Sequence, residues 1–272
     1  MLVQVATWFL WLMLYSFLGW VYESTLCSIT AKRPVNRGFL NGPICPIYGS
    51  GALVIILCLG KEADGSILSL FLSGAVLTCT LEYITSWLME KLFHARWWDY
   101  SEYRFQINGR VCLLGAVAFG AMSVVILKWV HPWVSSWTSK LPDTAVLLIS
   151  GILLALLVCD IIVTVRSVLH LDQKLSEVQR ALDRAWEKMR EDLREEFSER
   201  RGRFHNRGQK ILDHLEKSSQ WNGSRFKELL NQKRFQERRL LRAYPRLQSV
   251  HREALDVLRA RLEEWKRDKK SK

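Results

Sequence analysis

The stretch that decides the fold reads RGFLNGPICP at residues 37–46. It lies between two apolar runs and is rich in the residue types that turns favour. A similar stretch, RFQINGRVC, follows at residues 104–112, and one constant offset also aligns Trp20 with Trp87 and Glu23 with Glu90. Since Trp, Glu, Arg and Asn-Gly rarely match in one register by chance, we predict an internal repeat of about residues 14–57 and 81–124.

The composition divides the chain into two parts. Residues 1–169 contain 11 of the 39 Lys and Arg and 9 of the 27 Asp and Glu, whereas residues 170–272 contain the other 28 and 18. The net charge is therefore about +2 for the first part and about +10 for the second. This contrast predicts a transmembrane domain at 1–169 followed by a basic, soluble tail at 170–272.

Five segments of the first part are apolar enough to cross a bilayer, which needs roughly 20 residues per helix. They cover about residues 4–29, 44–60, 67–90, 111–130 and 144–168. The first segment has no basic residues before it, so we interpret it as a retained helix rather than a signal peptide. The predicted fold class is all-α: a polytopic membrane protein with about five transmembrane helices, in which the two repeats form hairpins.

The distribution of Lys and Arg predicts the orientation. Basic residues concentrate in the first connection, in the third connection and in the tail, whereas the second connection carries Lys61 alone. Five crossings place all three basic stretches in the cytosol and the N-terminus outside. A re-entrant second segment would put the third connection and the tail outside, which the charge bias opposes.

The tail has the pattern of amphipathic helices. Apolar residues recur every three or four positions from Leu171 to Phe197, which predicts a helix continuing from the last span and a short coiled coil. Further helices are expected at about 209–218, 224–244 and after Pro245. The basic surface is expected to attract anionic membrane lipids, with a cytosolic protein partner or self-association as the alternative. No nucleic acid is expected, because acidic residues are mixed with the basic ones.

Acidic residues lie inside the predicted spans. Thr78, Glu82, Ser86 and Glu90 recur every four residues, which places them on one face of the third helix. A carboxylate in a spanning helix costs about 2.5–3.5 kcal/mol on insertion scales, so it normally faces a partner or a wet cavity. Asp160 of the fifth span is a second such residue.

The two Asn-Gly sequences are expected to face each other at the cytosolic mouth. Each precedes a helix whose N-terminus, together with nearby arginines, could receive an anion or phosphate. The same residues could instead form a salt-bridged clamp between the hairpins, and a clamp can also hold a site. The predicted ligand-binding residues are Glu23, Arg37, Asn41, Glu82, Glu90, Asp99, Asn108 and Arg110.

Motifs for catalysis, metals and cofactors are absent from the sequence. There is no phosphate-binding Gly-rich loop of the Walker type, no nucleophile elbow and no His-Glu-x-x-His sequence. The six cysteines are scattered through apolar segments without a Cys-x-x-Cys pair, so we interpret them as small buried side chains. We predict no metal site, no cofactor and no catalytic residue.

Several motifs resemble one bacterial membrane family. They are YSFLGWVYE at 15–23, NRGFLNGP at 36–43, PIYG at 46–49, WWDYS at 97–101 and NGR at 108–110. Over about residues 8–125 the chain resembles the type IV ABC transporter membrane family, the CmpB-like permeases. This resemblance implies a multi-pass protein of the bacterial inner membrane and a permease role. An ATPase partner would follow from the family name, but the chain has no Glu-Ala-Ala coupling loop.

The leading functional hypothesis is a transporter or permease component with a polar cavity that faces the cytosol. One alternative is a membrane anchor or regulator that acts through its helical tail. A second alternative is an enzyme that modifies lipids of the inner leaflet, using a deep carboxylate beside a phosphate-binding turn.

Overall fold

The computed structural model of the chain describes residues 1–199, 239 and 248–249, with side chains described up to residue 191 and at 239. It is mainly helical. The helices are α1 (Leu2–Ala31), α2 (Pro46–Leu59), α3 (Ile67–Phe93), α4 (Leu113–Val125), α5 (His131–Thr138) and α6 (Asp143–Glu199). A 3-10 turn follows α2 at Gly60–Glu62, and a π-helical turn joins α4 to α5 at Ile126–Val130. The helices expected beyond residue 200 lie outside the described residues.

Short strands complete the secondary structure. They are β1 (Ala95–Arg96), β2 (Gln106–Ile107), β3 (Val111–Cys112) and β4 (Gln248–Ser249). β2 and β3 pair antiparallel, with Gln106 opposite Cys112 and Ile107 opposite Val111. This hairpin closes the connection between α3 and α4.

Four helical stretches of the described chain are long and apolar enough to cross a membrane: Leu2–Ala31, Ile67–Phe93, Leu113–Thr138 and Asp143–Glu191. They coincide with four of the five predicted spans. The remaining predicted span, residues 44–60, corresponds to α2, which has only 14 residues. At 1.5 Å per residue it is about 21 Å long, shorter than the bilayer core of roughly 30 Å.

The chain before α2 runs down the side of α1 without forming a helix. We call residues 35–45 the descending segment. Its contacts fall on α1 residues of one face, progressively further from the C-terminal end of α1. They are Val35 N to Ser28 Oγ at 2.9 Å, Arg37 N to Ser24 Oγ at 3.2 Å and Cys45 N to the Ser16 carbonyl at 2.9 Å. Since Ser28 and Ser16 are twelve residues apart, the segment descends about 18 Å along α1.

Small residues bring the helices of each hairpin close together. α1 packs along α2 and α3 packs along α4. A Cβ atom added at Gly49 would overlap Ser16 and the Leu12 carbonyl, and one added at Gly74 would overlap Ser123. Close backbone approach at glycine is typical of helix packing in membranes.

A buried apolar cluster joins α1 to α2, α3, α4, the π-helical turn and α5. Tyr15, Ile55, Leu70, Leu127 and Val134 are among its members. Polar contacts support it at its edge: Trp11 Nε1 donates to Thr138 Oγ1 at 3.1 Å, and Tyr15 Oη lies 3.2 Å from His131 Nδ1. α6 joins this arrangement through Ser150, whose hydroxyl donates to the Ala6 carbonyl at 3.1 Å.

The outer faces of the helices are apolar. Large hydrophobic side chains such as Val76, Leu148 and Leu156 are more than 60% exposed, and so are Trp129 and Trp133. Apolar surface this extensive is unfavourable in water and suits contact with lipid chains. The chain is therefore a membrane protein.

Candidate functional site

A cavity of about 240 Å³ lies among α1, α2, α3, α4 and the connection between α3 and α4. Apolar and aromatic side chains make up most of its wall, including Phe39, Trp98, Phe119 and Ile126. Its polar and charged lining residues include Glu23, Arg37, Tyr48, Thr78, Glu82 and Tyr100. A small apolar pocket with a few convergent polar groups is typical of a ligand site.

Glu82 lies on the predicted polar face of α3 and is 6% exposed. Its Oε1 accepts a hydrogen bond of 3.3 Å from the Tyr100 hydroxyl. Its Oε2 is buried and has no hydrogen-bond partner within the described part of the chain. Burial raises the pKa of Tyr100 above its ordinary value, and the nearby charge of Glu82 raises it further. The phenol therefore keeps its proton and can donate.

Glu23 of α1 is the second carboxylate of the cavity, and both of its oxygens have partners. The Tyr48 hydroxyl donates to Oε1 at 2.7 Å. Arg37 Nε lies 3.7 Å from Oε2. Arg37, another of the predicted ligand-binding residues, thus forms an ion pair with Glu23.

A second polar cluster lies beside the cavity, at the end of α3. Arg110 Nη2 lies 2.8 Å from Glu90 Oε2, and Arg96 Nε lies 3.3 Å from the same oxygen. Arg96 also lies 3.9 Å from Asp99, and Arg110 Nη1 donates to Ser86 Oγ at 3.4 Å. Opposite charges held this way fix the α3–α4 connection to the end of α3.

Trp98 connects this cluster to the cavity. Its ring lines the cavity, while its Nε1 donates to the Arg110 carbonyl at 3.0 Å. Asn108 lies at the exposed edge, where its side-chain amide donates to the Tyr83 hydroxyl at 2.9 Å. Movement of the cluster would therefore move a wall of the cavity.

A third polar cluster joins the descending segment to α6. The backbone amides of Asn41 and Gly42 donate to the two carboxylate oxygens of Asp160, at 3.0 and 2.8 Å. The Asn41 side-chain amide donates to Thr164 Oγ1 at 2.9 Å, and the Thr164 hydroxyl donates to Asp160 Oδ1 at 3.2 Å. Asp160 thus satisfies non-helical backbone that lies against a membrane-spanning helix.

The structure distributes the eight predicted ligand-binding residues over these three places. Glu23, Arg37 and Glu82 line the cavity. Glu90, Asp99, Asn108 and Arg110 lie in or at the edge of the cluster that holds the α3–α4 connection, and Asn41 binds α6. Three of the eight residues thus line the cavity, and the other five lie outside its lining.

Tyr48 and Tyr100 are two polar residues of the cavity that sequence reasoning missed. Both are phenols that donate to a cavity carboxylate. For Tyr100 the only signal in the sequence is the concentration of aromatic residues in the α3–α4 connection, which is equally typical of membrane-interface anchors. Tyr48 lies in an apolar run that gives no such signal.

The two Asn-Gly sequences differ in conformation. Asn108 and Gly109 both have positive φ, 52° and 67°, as expected for a tight β-hairpin, whereas Asn41 and Gly42 do not. Each helix begins four residues beyond its glycine, α2 after Cys45 and α4 after Cys112. The equivalent of Arg37 in the second copy, Arg104, lies 5.8 Å from the Phe105 ring centroid. The internal repeat thus remains a sequence prediction.

The described residues contain no group of three or more His, Cys, Asp or Glu side chains that could hold a metal ion. The carboxylates of the cavity are surrounded by phenols and apolar groups instead. The arrangement is suited to binding a small solute by charge, hydrogen bonds and aromatic contact.

Comparison with known proteins gives one match. The sequence model of the family described as "Putative ABC-transporter type IV" matches residues 10–165, more than half of the chain. No curated protein and no solved structure matches.

The Asp160 cluster yields a stability prediction. Asp160→Asn should lower the melting temperature of the purified protein in detergent, because one carboxylate acceptor becomes an amide donor that faces a backbone N–H. The loss of one charge-assisted bond and the orphaned donor should cost roughly 2–4 kcal/mol. Thermal unfolding followed by tryptophan fluorescence measures it.

Cys159→Ser is the matched control, because Cys159 is the exposed neighbour of Asp160 on α6. It should leave the melting temperature nearly unchanged. Equal melting of Asp160→Asn and wild type would contradict the role assigned to this carboxylate.

Proposed function

We propose that the protein is a solute permease, because the chain belongs to the "Putative ABC-transporter type IV" family and its apolar helices fit a transporter-like membrane protein. In this proposal the protein is the membrane component of a transporter. The observation that carries it is a cavity among four helices with two carboxylates in its wall. Intramembrane carboxylates in a cavity mark solute or ion pathways in many membrane proteins.

The descending segment and α2 together make the fifth crossing in this proposal. The segment descends about 18 Å along α1 and α2 adds about 21 Å, so their combined length exceeds the bilayer core of roughly 30 Å. Transporters use such discontinuous crossings, with non-helical backbone at membrane depth where it lines a cavity. Phe39 and Cys45 of the descending segment do line the cavity.

Five crossings leave the basic connections and the tail on one side of the membrane. The positive-inside rule then places the N-terminus outside and the tail in the cytosol of a bacterium. Arg37 and Tyr100 belong to the two connections on the cytosolic side, so the cavity would open to the cytosol.

The orientation is tested with reporters fused to each end of the chain. Green fluorescent protein after Lys272 should fluoresce and alkaline phosphatase at the same position should be inactive, because fluorescence needs the cytosol and the phosphatase needs the periplasm. A fusion that stops within the 60–66 connection should give the opposite result. An active phosphatase after Lys272 would overturn the orientation.

The permease function is tested by comparing solutes. Cells that lack the protein, cells that produce it and cells that produce Glu82→Gln are compared by mass spectrometry of cell extracts and medium. The cell-to-medium ratio of at least one solute should differ severalfold between cells with wild type and cells without the protein. With Glu82→Gln the ratio should return to that of cells without the protein, because the substitution removes the buried carboxylate.

Glu62→Gln serves as the control for this comparison, because Glu62 is exposed in the 3-10 turn and does not line the cavity. It should behave as wild type. A solute profile that does not depend on the protein would contradict the permease proposal, provided that the protein is present in the membrane at normal level.

A second candidate function, regulation through the tail, is favoured by one residue. The Arg239 guanidinium donates to three successive carbonyls of the descending segment, those of Gly38, Phe39 and Leu40, at 2.9 to 3.0 Å. Phe39 lines the cavity. Release of Arg239 would free part of a cavity wall, so a binding event on the tail could act on the cavity.

This candidate is tested with Arg239→Ala and with a chain that ends at residue 169. Both variants should change the solute ratio defined above without lowering the amount of protein in the membrane, because both remove the contact to the three carbonyls. If both keep the wild-type ratio, the tail has no regulatory role and the permease proposal stands alone.

A further inference from the structure

The cavity is lined by more carboxylates than cationic side chains. Two carboxylates, Glu23 and Glu82, and one guanidinium, Arg37, line it. Arg37 Nε faces Glu23, whose other oxygen accepts the Tyr48 hydroxyl. Glu23 is therefore already neutralised and hydrogen-bonded, whereas Glu82 makes no ion pair within the described residues.

The unpartnered oxygen of Glu82 is the feature that indicates a ligand. Glu82 is more than nine-tenths buried, and the Tyr100 hydroxyl satisfies only Oε1. A buried acceptor without a partner is costly, and an ionised one costs far more. The group that completes the site must bring a hydrogen-bond donor, and a positive charge would satisfy the carboxylate best.

Three helices around Glu82, α1, α2 and α4, present the following groups to the cavity. α1 presents Glu23 and α2 presents Tyr48, whose hydroxyl is already used by Glu23. α4 presents uncharged side chains, those of Phe119, Met122 and Ser123. The Ser123 hydroxyl donates to its own helix at the Phe119 carbonyl, 2.8 Å away.

The arginines that suggested an anion from the sequence already pair with carboxylates, and Arg37 does so with Glu23 in the cavity wall. Arg110 and Arg96 bind Glu90 outside the cavity. α2, whose N-terminus borders the cavity, begins with Pro46, which has no backbone N–H to offer an anion. The geometry thus favours a positively charged ligand over the anion.

The remaining walls define the kind of cation. Trp98, Tyr100 and Phe119 give aromatic surface, which attracts cations and apolar groups alike. The absence of a metal-ligating group of three side chains among the described residues disfavours a bare metal ion. The cavity of about 240 Å³ lies just below the usual range of roughly 300–1,000 Å³ for ligand pockets, so the ligand is small.

We propose that the cavity binds a small organic ammonium ion, with Glu82 as its counter-ion and Oε2 as the acceptor of its N–H group. The inference rests on the proposed permease function and names its substrate class. The ammonium group lies against Glu82, and the apolar part of the ion lies against Trp98 and Phe119. Tyr100 is a positioning residue, because its hydroxyl orients the carboxylate without contacting the ammonium group.

The test uses benzylammonium as the probe, with benzyl alcohol and benzoate as neutral and anionic molecules of similar shape. Binding to the purified full-length protein in lipid nanodiscs is measured by titration calorimetry at pH 7. Wild type should bind benzylammonium at least tenfold more tightly than benzyl alcohol and should bind benzoate least. Glu82→Gln should lose this preference, since it keeps the shape of the side chain and removes its charge.

Two further variants separate charge from folding. Glu82→Asp keeps the carboxylate and should keep the preference for benzylammonium, with weaker binding. Glu62→Gln removes an exposed carboxylate remote from the cavity and should bind as wild type does. Equal melting temperatures of Glu82→Gln and wild type in the nanodiscs show that the fold is retained, and if Glu82→Gln unfolds, Glu82→Asp alone decides.

The inference is overturned if wild type does not bind benzylammonium, if benzyl alcohol or benzoate binds as tightly, or if Glu82→Gln keeps the preference. These results differ from a failure of the permease proposal. A protein-dependent ratio of a neutral or anionic solute would sink the ammonium inference and leave the permease function. Ammonium binding without any protein-dependent change in a cell-to-medium solute ratio would contradict the permease function and leave the ammonium inference.

Discussion

Non-helical backbone at membrane depth needs hydrogen-bond partners, and in this protein the Asp160 carboxylate supplies them. A lipid environment offers no water to the amides of Asn41 and Gly42, so a side chain must accept from them. Asp160 accepts from both, and Thr164 supports it from one turn further along α6. The carboxylate is itself stabilised by these donors, so the two costly groups satisfy each other. The path of the descending segment, the position of α2 and the shape of the cavity all depend on this pairing.

The polar groups of the membrane domain have separate tasks. One ion-pair cluster around Glu90 fixes the α3–α4 connection, and the Asp160 cluster fixes the descending segment. In the Asp160 cluster both carboxylate oxygens accept hydrogen bonds, although the Asn41 side-chain oxygen there has no partner in the described structure. The cavity differs, because Glu82 keeps one oxygen without a partner in the described structure. Since hydrogen bonds hold Tyr100 against this carboxylate and Trp98 against the α3–α4 connection, a ligand would meet a preorganised acceptor.

Features with a local cause could be predicted from the sequence. Apolar runs gave the positions of five helices, and the spacing from Thr78 to Glu90 gave the polar face of α3. The sequence also raised a salt-bridged clamp as one alternative, and Arg37 does pair with Glu23 and Arg110 with Glu90. Contacts between distant parts of the chain did not: Asp160 lies 119 residues from Asn41, and nothing local indicates that they meet. The phenols of Tyr48 and Tyr100 were missed because nothing in the sequence around either residue indicates that its hydroxyl meets a carboxylate of another element.

The short length of α2 has an electrical consequence. If the descending segment carries polar atoms into the membrane beside α1 as far as the start of α2, the fully apolar barrier at this place is about as thick as α2 is long, roughly 21 Å of the 30 Å core. The membrane potential then falls over a shorter distance there than across undisturbed lipid. Each elementary charge that moves through the full potential exchanges about 2.3 kcal/mol per 100 mV. A cation held at Glu82 would have most of that electrical distance on one side of it, so its occupancy would be sensitive to voltage.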